Sequence, residues 1–428
     1  MREDLHDALN QNKGRTNLRV LIVNYRYFIS GGPERYMFNI KDKLEREGHE
    51  VIPFSILADK NEETPYSRYF VEPIGGTDQT YFEDYKKTPK TILQMIGRSI
   101  YSFRVKRAIK KIISEVNPDV VYILHFVNKL SPSVITGAKQ MGKRVVVRLS
   151  DYYLLCPRFD FMYENRPCEA CQIDGYSSCI KRKCVKESRS ASLIRVAAMM
   201  IHKTINVYSK VDAFVCPSRF LMEKLVEYGF PAEKVHNVLT FTEDPKQSGN
   251  SIGEYGLYMG RITEEKGVES LVQAYKELGH GYRLKIVADD STAIAGQLKE
   301  YVRENSMDNV EFLGFKSGEE LRELVRDSRF VCVPSIWYEN IPNTILEAHA
   351  NGKPVLCSRI GSLTELIDEG YNGFLFEPLD SKGIADCVRK LDDEGLVLRI
   401  SENARESFEK KYTEKVHYEK LIDLLEVK

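Results

Sequence analysis

The sequence carries no excess charge of either sign, with 62 Lys and Arg set against 62 Asp and Glu. That balance argues against a general polyanion-binding role. No uncharged apolar run is long enough to cross a bilayer, and Met1-Arg-Glu-Asp-Leu-His lacks the apolar core of a secretory signal. The expected compartment is therefore the cytoplasm, where the nine cysteines should be mostly thiols. There is one Trp and no aromatic-basic repeat, which weighs against a nucleic-acid-binding module. The dinucleotide fingerprint G-x-G-x-x-G is missing as well. What is left, 428 residues at 43% apolar and 29% charged, reads as a soluble α/β chain of two domains.

What is present centres on Glu339-Asn-Ile-Pro-Asn-Thr-Ile-Leu-Glu347, continued by Ala-His-Ala-Asn-Gly352-Lys-Pro-Val-Leu. The apolar run Phe330–Pro334 predicts a buried strand ending at Ser335. Asn343 or Thr344 is expected to cap a helix that Gly352 stops. Glu339 then stands in a strand-to-helix loop and Glu347 about one turn inside the helix, both towards the carboxyl edge of a sheet, where open α/β folds bind ligands. A helix start there offers backbone N–H groups to a phosphate. Two carboxylates beside an anion site suit a ligand carrying both sugar hydroxyls and phosphate. Taken alone, the same residues also fit an ordinary amphipathic helix with two exposed Glu.

Residues 1–16 read as a flexible tail and 17–240 as a first domain. Leu18–Asn24, the loop Tyr25–Pro33 with Gly31 and Gly32, a helix from Glu34 and a strand at Val51 open a nucleotide-fold sheet. Between Asp84 and Glu115 lie nine Lys or Arg and no acid, on a pattern of one long helix or two. Either its basic side is simply solvated, or it contacts anionic lipid. The same choice applies to the basic stretch 181–203. Val120–Leu124 is a strand that places His125 at its end, and Arg144–Leu149 delivers Asp151 to the same edge. Residues 155–190 form a cysteine-rich insert with Cys168-x2-Cys171-x7-Cys179-x4-Cys184. So few apolar residues give it little core, and zinc could supply folding energy. An iron–sulfur site and free thiols are the other readings. A linker at 241–253 leads to a second domain, 254–410, opening with Gly260-Arg261-x4-Lys266-Gly267. Arg261 and Lys266 flank a strand end and a helix start, and Arg can grip two phosphate oxygens at once.

Taken together, Gly31-Gly32, Gly260-Arg261-x4-Lys266-Gly267 and Glu339-x7-Glu347 with its Gly-x-Pro-Val continuation resemble the retaining nucleotide-sugar glycosyltransferases of family 4, from about Leu18 to the end. The resemblance implies the GT-B arrangement, two Rossmann-like domains facing across a cleft, with the last helix (411–428) crossing back to the N-terminal domain. It implies that Arg261 and Lys266 neutralise the donor diphosphate, that Glu347 binds the ribose hydroxyls and that Glu339 faces the transferred sugar. By the same resemblance Asn340 and Ile341 lie near sugar and phosphate, His125 stands against the donor sugar, and Gly31 and Gly32 close near the phosphates and acceptor. Many relatives have His-Asp where Ser150-Asp151 stands here, which leaves Asp151 without an assigned role.

The implied activity is a retaining, metal-independent transfer from a nucleoside-diphosphate sugar to a glycan or lipid-linked acceptor in surface polysaccharide or glycoconjugate synthesis. The absence of any Asp-x-Asp triplet agrees with a reaction needing no metal-bound diphosphate, so zinc at the cysteines would be structural. The expected protein works in the cytoplasm, with contact to the inner face of the membrane through 86–111 and 181–203. A sugar-nucleotide epimerase or a phosphorylase on the same fold is the enzyme alternative. A nucleic-acid-binding protein is the alternative from another class.

Overall fold

A computed structural model describes residues 17–75, 88–245 and 252–426. The expected tail 1–16, residues 86 and 87 of the basic stretch, 246–251 of the linker, and the last residues 427–428 lie outside the described residues.

Two six-stranded sheets organise the chain. The first contains β1 (Arg19–Asn24), β2 (Glu50–Phe54), β3 (Val120–His125), β4 (Arg144–Arg148), β7 (Ala213–Cys216) and β8 (Val235–Asn237), in the order β2-β1-β3-β4-β7-β8. The second contains β9 (Tyr255–Met259), β10 (Arg283–Val287), β11 (Val310–Gly314), β12 (Phe330–Val333), β13 (Val355–Ser358) and β14 (Gly373–Phe376), in the order β11-β10-β9-β12-β13-β14. All its pairings are parallel. These are the two Rossmann-like domains expected from the sequence. A short ribbon, β5 (Met162–Tyr163) with β6 (Arg166–Pro167), lies in the cysteine-bearing segment.

Strands buried on both faces need apolar side chains in both directions, and the second sheet shows the alternation. Tyr258, Leu284, Ile286, Phe330 and Leu356 pack with the helices Val268–Leu278 and Ser381–Lys390. Leu257, Val331, Val333 and Val355 face the other way, onto the helices Asn343–Ala350 and Glu394–Lys411. The basic stretch forms two helices, Pro89–Ile100 and Phe103–Val116, capped by the Thr88 and Ser102 side chains. Arg98 is not on a solvated face: it is buried and donates to the carbonyls of Glu72 and Lys129.

The chain groups into two compact units. The first takes residues 1–148, 197–214 and 422–428, and the second 149–196 and 215–421. The cysteine-bearing stretch, read from the sequence as an insert within 17–240, groups with the second unit. Within the first unit, Arg144 Nε donates to the Leu424 carbonyl at 2.9 Å.

Gly256 in β9 is required by packing. A Cβ there would run into the Tyr275 hydroxyl and the Phe330 ring, whereas one at Gly281 would meet nothing within 4 Å. Gly256→Ala is expected to lower stability by about 1–3 kcal/mol, read as a lower thermal midpoint, with Gly281→Ala near wild type.

His349 is fully buried on the helix Asn343–Ala350. Burial, helped by the nearby Lys411 charge and opposed by the Asn372 backbone, lowers its pKa from 6.5 to about 4. Between those values the unfolded chain binds a proton that the folded chain does not. Stability contributed by the neutral ring is thus present above pH 6.5 and lost as pH falls towards 4, at up to about 1.4 kcal/mol per pH unit. Melting curves across that window should flatten in His349→Leu.

Candidate functional site

In the second sheet the strand order reverses between neighbouring β9 and β12, and ligands of open α/β sheets bind beyond the carboxyl ends at such a point. β9 feeds the loop bearing Arg261 and Lys266, and β12 feeds the loop bearing Glu339. Topology therefore brings together residues separated by 73 positions in the chain. The Ile336 N–H donates to the Glu265 carbonyl at 2.9 Å, tying the two loops directly.

Lys266 ends a 3-10 turn, Glu264–Lys266, and Gly267 follows at φ 64° with a left-handed backbone. A Cβ on Gly267 would also collide with the Pro334 carbonyl, so only glycine lets the two strand-end loops approach this closely. Lys266 Nζ then donates to Glu339 Oε1 at 2.5 Å. Ser335 Oγ donates to the same oxygen at 2.7 Å. Glu339 is only 5% exposed, so its charge is matched rather than solvated. The Lys266 ammonium also lies 5.4 Å from the centroid of Trp337. Arg261 contrasts with this: its side chain is 70% exposed, 3.7 Å from Glu265.

Glu347 sits in the second turn of the helix Asn343–Ala350, half-buried. The expected cap is corrected: Pro342 holds the N-cap position, no side chain caps the helix, and Asn343 is already helical. Proline fits there because its fixed φ suits a helix entry and it brings no N–H of its own. Asn340 is tied on both sides of its amide. Its Nδ2 donates to the Leu149 carbonyl at 3.1 Å and its Oδ1 accepts from Ser218 Oγ at 3.2 Å. Ile341 packs partly buried against the core.

The first sheet reverses order between β1 and β3, and its candidate residues lie there. The Tyr25 N–H donates to the His125 carbonyl at 3.0 Å, and the two rings meet edge-on at 4.8 Å. Gly31 has extended φ and ψ, which any residue adopts, and Gly32 starts the helix Gly32–Arg46. The sequence reading passed over Glu34 in that first turn. It is buried, accepts from Ser30 Oγ at 2.9 Å and lies 3.7 Å from Arg26. Asp151 accepts from the Tyr153 N–H at 2.9 Å, a local turn contact.

The four cysteines read as a zinc set lie near one another: Cys179 and Cys184 share a side-chain hydrogen bond, and Cys171 is close enough to Cys168 and Cys184 to feel their charge. Among the described residues no group of three or more His, Cys, Asp or Glu is placed to hold a metal ion. Cys168 Sγ instead accepts from Arg182 Nη1 at 3.1 Å. Burial, reinforced by the neighbouring cysteines, raises the Cys171 and Cys179 thiols to about 12. Aromatic packing also holds the segment. Phe161 is buried against Tyr152, Tyr228 and Tyr338, with ring centroids 5.0, 6.0 and 6.1 Å away. Sequence reasoning missed this because the partners come from three separate stretches.

Comparison with known proteins agrees with the geometry. Residues 30–240 match the model of Glycosyltransferase Family 4 and residues 241–407 that of Glycosyl transferases group 1. An uncharacterized glycosyltransferase of Methanocaldococcus jannaschii is 28% identical over 205 residues, 47% of this chain and 56% of that protein. The amylovoran biosynthesis glycosyltransferase AmsK of Erwinia amylovora is 27% identical over 225 residues, 49% of this chain and 54% of AmsK. The match thus spans about half the length of these relatives. A glycosyltransferase structure from Rickettsia africae shares the fold at TM-score 0.68 and 18% identity, covering 96% of this chain and 98% of that one. Anabaena HepE, solved with UDP-glucose, does so at TM-score 0.62 and 14% identity, covering 96% and 99%. With both family models placed end to end over two parallel sheets, and the charged strand-end loops at a switch point, the chain belongs to the family 4 glycosyltransferases.

Proposed function

We propose that this protein moves a sugar from a nucleoside-diphosphate sugar to a glycan or lipid-linked acceptor, with retention of configuration and without a catalytic metal. The observation that carries the reading is the Lys266–Glu339 pair, set between exposed Arg261 and half-buried Glu347 at the carboxyl ends of β9 and β12. A donor diphosphate brings two negative charges to a place where one cation is already held and a second is free to swing in. Glu347, one turn into the helix, suits the ribose hydroxyls. Glu339 suits the sugar, and the backbone of Asn340 and Ile341 suits the sugar and phosphate beside it.

In the reaction the bond between the anomeric carbon and the β-phosphate oxygen breaks, and its electrons leave with the phosphate. The acceptor oxygen bonds to the same carbon from the same face and gives its proton to the departing phosphate. Arg261, Lys266 and the helix start stabilise the charge that develops on the leaving group. By resemblance to the family, His125, Gly31 and Gly32 of the first unit are proposed as further functional residues. Named relatives in amylovoran and capsular polysaccharide biosynthesis support a surface-polysaccharide role.

Glu347→Ala, Arg261→Ala and Lys266→Ala should each cut donor turnover by roughly 100-fold or more in folded protein. Chromatography of products from UDP-, GDP- and ADP-sugars, with and without acceptor, checks this. Wild-type rates in all three variants would end the assignment, and an altered free sugar nucleotide would mean an epimerase.

We further propose that the first unit rests on anionic membrane. Leu93 and Phe103 are 70% and 66% exposed on the two basic helices, beside exposed Lys90, Arg104, Arg107 and Lys111. Apolar side chains that enter the headgroup boundary while cations meet anionic lipid form a surface anchor. Of the stretch 181–203, Arg195 cannot contribute, being buried and donating to the Tyr153 carbonyl. Sedimentation with phosphatidylglycerol vesicles should pull down wild type, with several-fold less of a Leu93→Glu, Phe103→Glu double variant. Equal binding would remove the membrane contact.

A further inference from the structure

We propose that Glu169, carried by the cysteine-bearing segment, is a positioning residue for the loop that holds Glu339. This rests on the reading of Glu339 as the group facing the transferred sugar.

Three consecutive residues of that loop are gripped from outside it, all within the second unit. Tyr338 donates its hydroxyl to Glu169 Oε1 at 3.0 Å. The Glu339 carbonyl accepts from Ser362 Oγ at 2.7 Å and from the Tyr152 hydroxyl at 3.1 Å. Asn340 is held by Leu149 and Ser218 as described. The second oxygen of Glu169 accepts from Lys224 Nζ at 2.8 Å, so the carboxylate is fixed at both ends. The Lys224 and Glu169 side chains are 14% and 22% exposed, which shields the pair from solvent.

The Tyr338 ring has little room to move while that contact stands. It packs against Phe220 at 4.8 Å and Phe161 at 6.1 Å between centroids. On another side Gly361, at φ +51°, approaches so closely that a Cβ would lie 3.0 Å from Tyr338 Cδ1. Burial, reinforced by Glu169, raises the Tyr338 hydroxyl to about 12, so it remains a donor at neutral pH. The segment bearing Cys168 and Cys171 thus acts on the donor side of the site through Tyr338, the neighbour of both Trp337 and Glu339, without touching the donor itself. Its chemistry is a buried hydrogen bond that keeps the Glu339 carboxylate within reach of both Lys266 and Ser335.

Trp337 is the sole tryptophan of the chain, so its fluorescence reads this loop without any ligand. Glu169→Ala and Tyr338→Phe are expected to red-shift Trp337 emission and increase acrylamide quenching. Glu169→Gln, which keeps an oxygen to accept from Tyr338 but loses the Lys224 ion pair, should shift and lose activity less than Glu169→Ala. With the sugar nucleotide that wild type turns over fastest among UDP-, GDP- and ADP-sugars, the first two variants should lose roughly 10- to 100-fold in kcat/KM, mainly in kcat. Melting temperatures identify any variant that fails to fold, and Tyr338→Phe, which removes one oxygen, guards against loss of Glu169→Ala. Unchanged emission and quenching in both variants would overturn the proposal, as would equal losses in Glu169→Gln and Glu169→Ala. Displaced emission in both variants, with wild type inactive on every sugar nucleotide, would uphold the positioning contact and refute the transferase reading instead.

Discussion

The ion pair between Lys266 and Glu339 is the contact on which the candidate site depends. It joins the loops after β9 and β12, the two strands at which the second sheet reverses its order. With the Lys and Glu side chains only 19% and 7% exposed, each charge relies on the other. Removing one partner from such a pair leaves a buried charge at a cost of about 3–5 kcal/mol. The pair also requires Gly267, because any side chain there would strike the Pro334 carbonyl. Arg261, exposed at the end of the same strand, supplies charge that can move.

Around the pair the structure is layered in dependence. The sheet fixes where β9 and β12 end, and the helix Asn343–Ala350 fixes Glu347. The short loop between β12 and that helix has no regular structure of its own to fix Glu339. It borrows rigidity from Ser335, Ser362, Tyr152, Asn340 and Tyr338, and through Tyr338 from Glu169. The cysteine-bearing segment in turn has no core of its own and is stabilised by docking its aromatics, chiefly Phe161, onto the same place. The two irregular pieces support one another.

Much of this was legible in the chain. The alternation of apolar strands and amphipathic helices marked both sheets, and charged residues after apolar runs marked the strand ends at Arg261, His125 and Glu339. The strand read at Val120–Leu124 is observed as Val120–His125. The misread features share a cause. Pro342 displaced Asn343 from the cap because a helix entry depends on the angle at which the loop arrives. Arg98 and Arg195 looked like surface charge but turn inward to satisfy backbone carbonyls.

The sequence by itself determined two parallel α/β domains, the family, and the choice of Arg261, Lys266, Glu339 and Glu347 as the charged groups of the candidate site. These follow from local periodicity and from motifs only a few residues long, which are properties of neighbours in the chain. Only the tertiary structure decided that Lys266 and Glu339 form one pair, and that Glu169 reaches Tyr338 from a distance of 169 residues. Strand order and ring packing set those meetings, and neither leaves a mark on any single stretch of sequence.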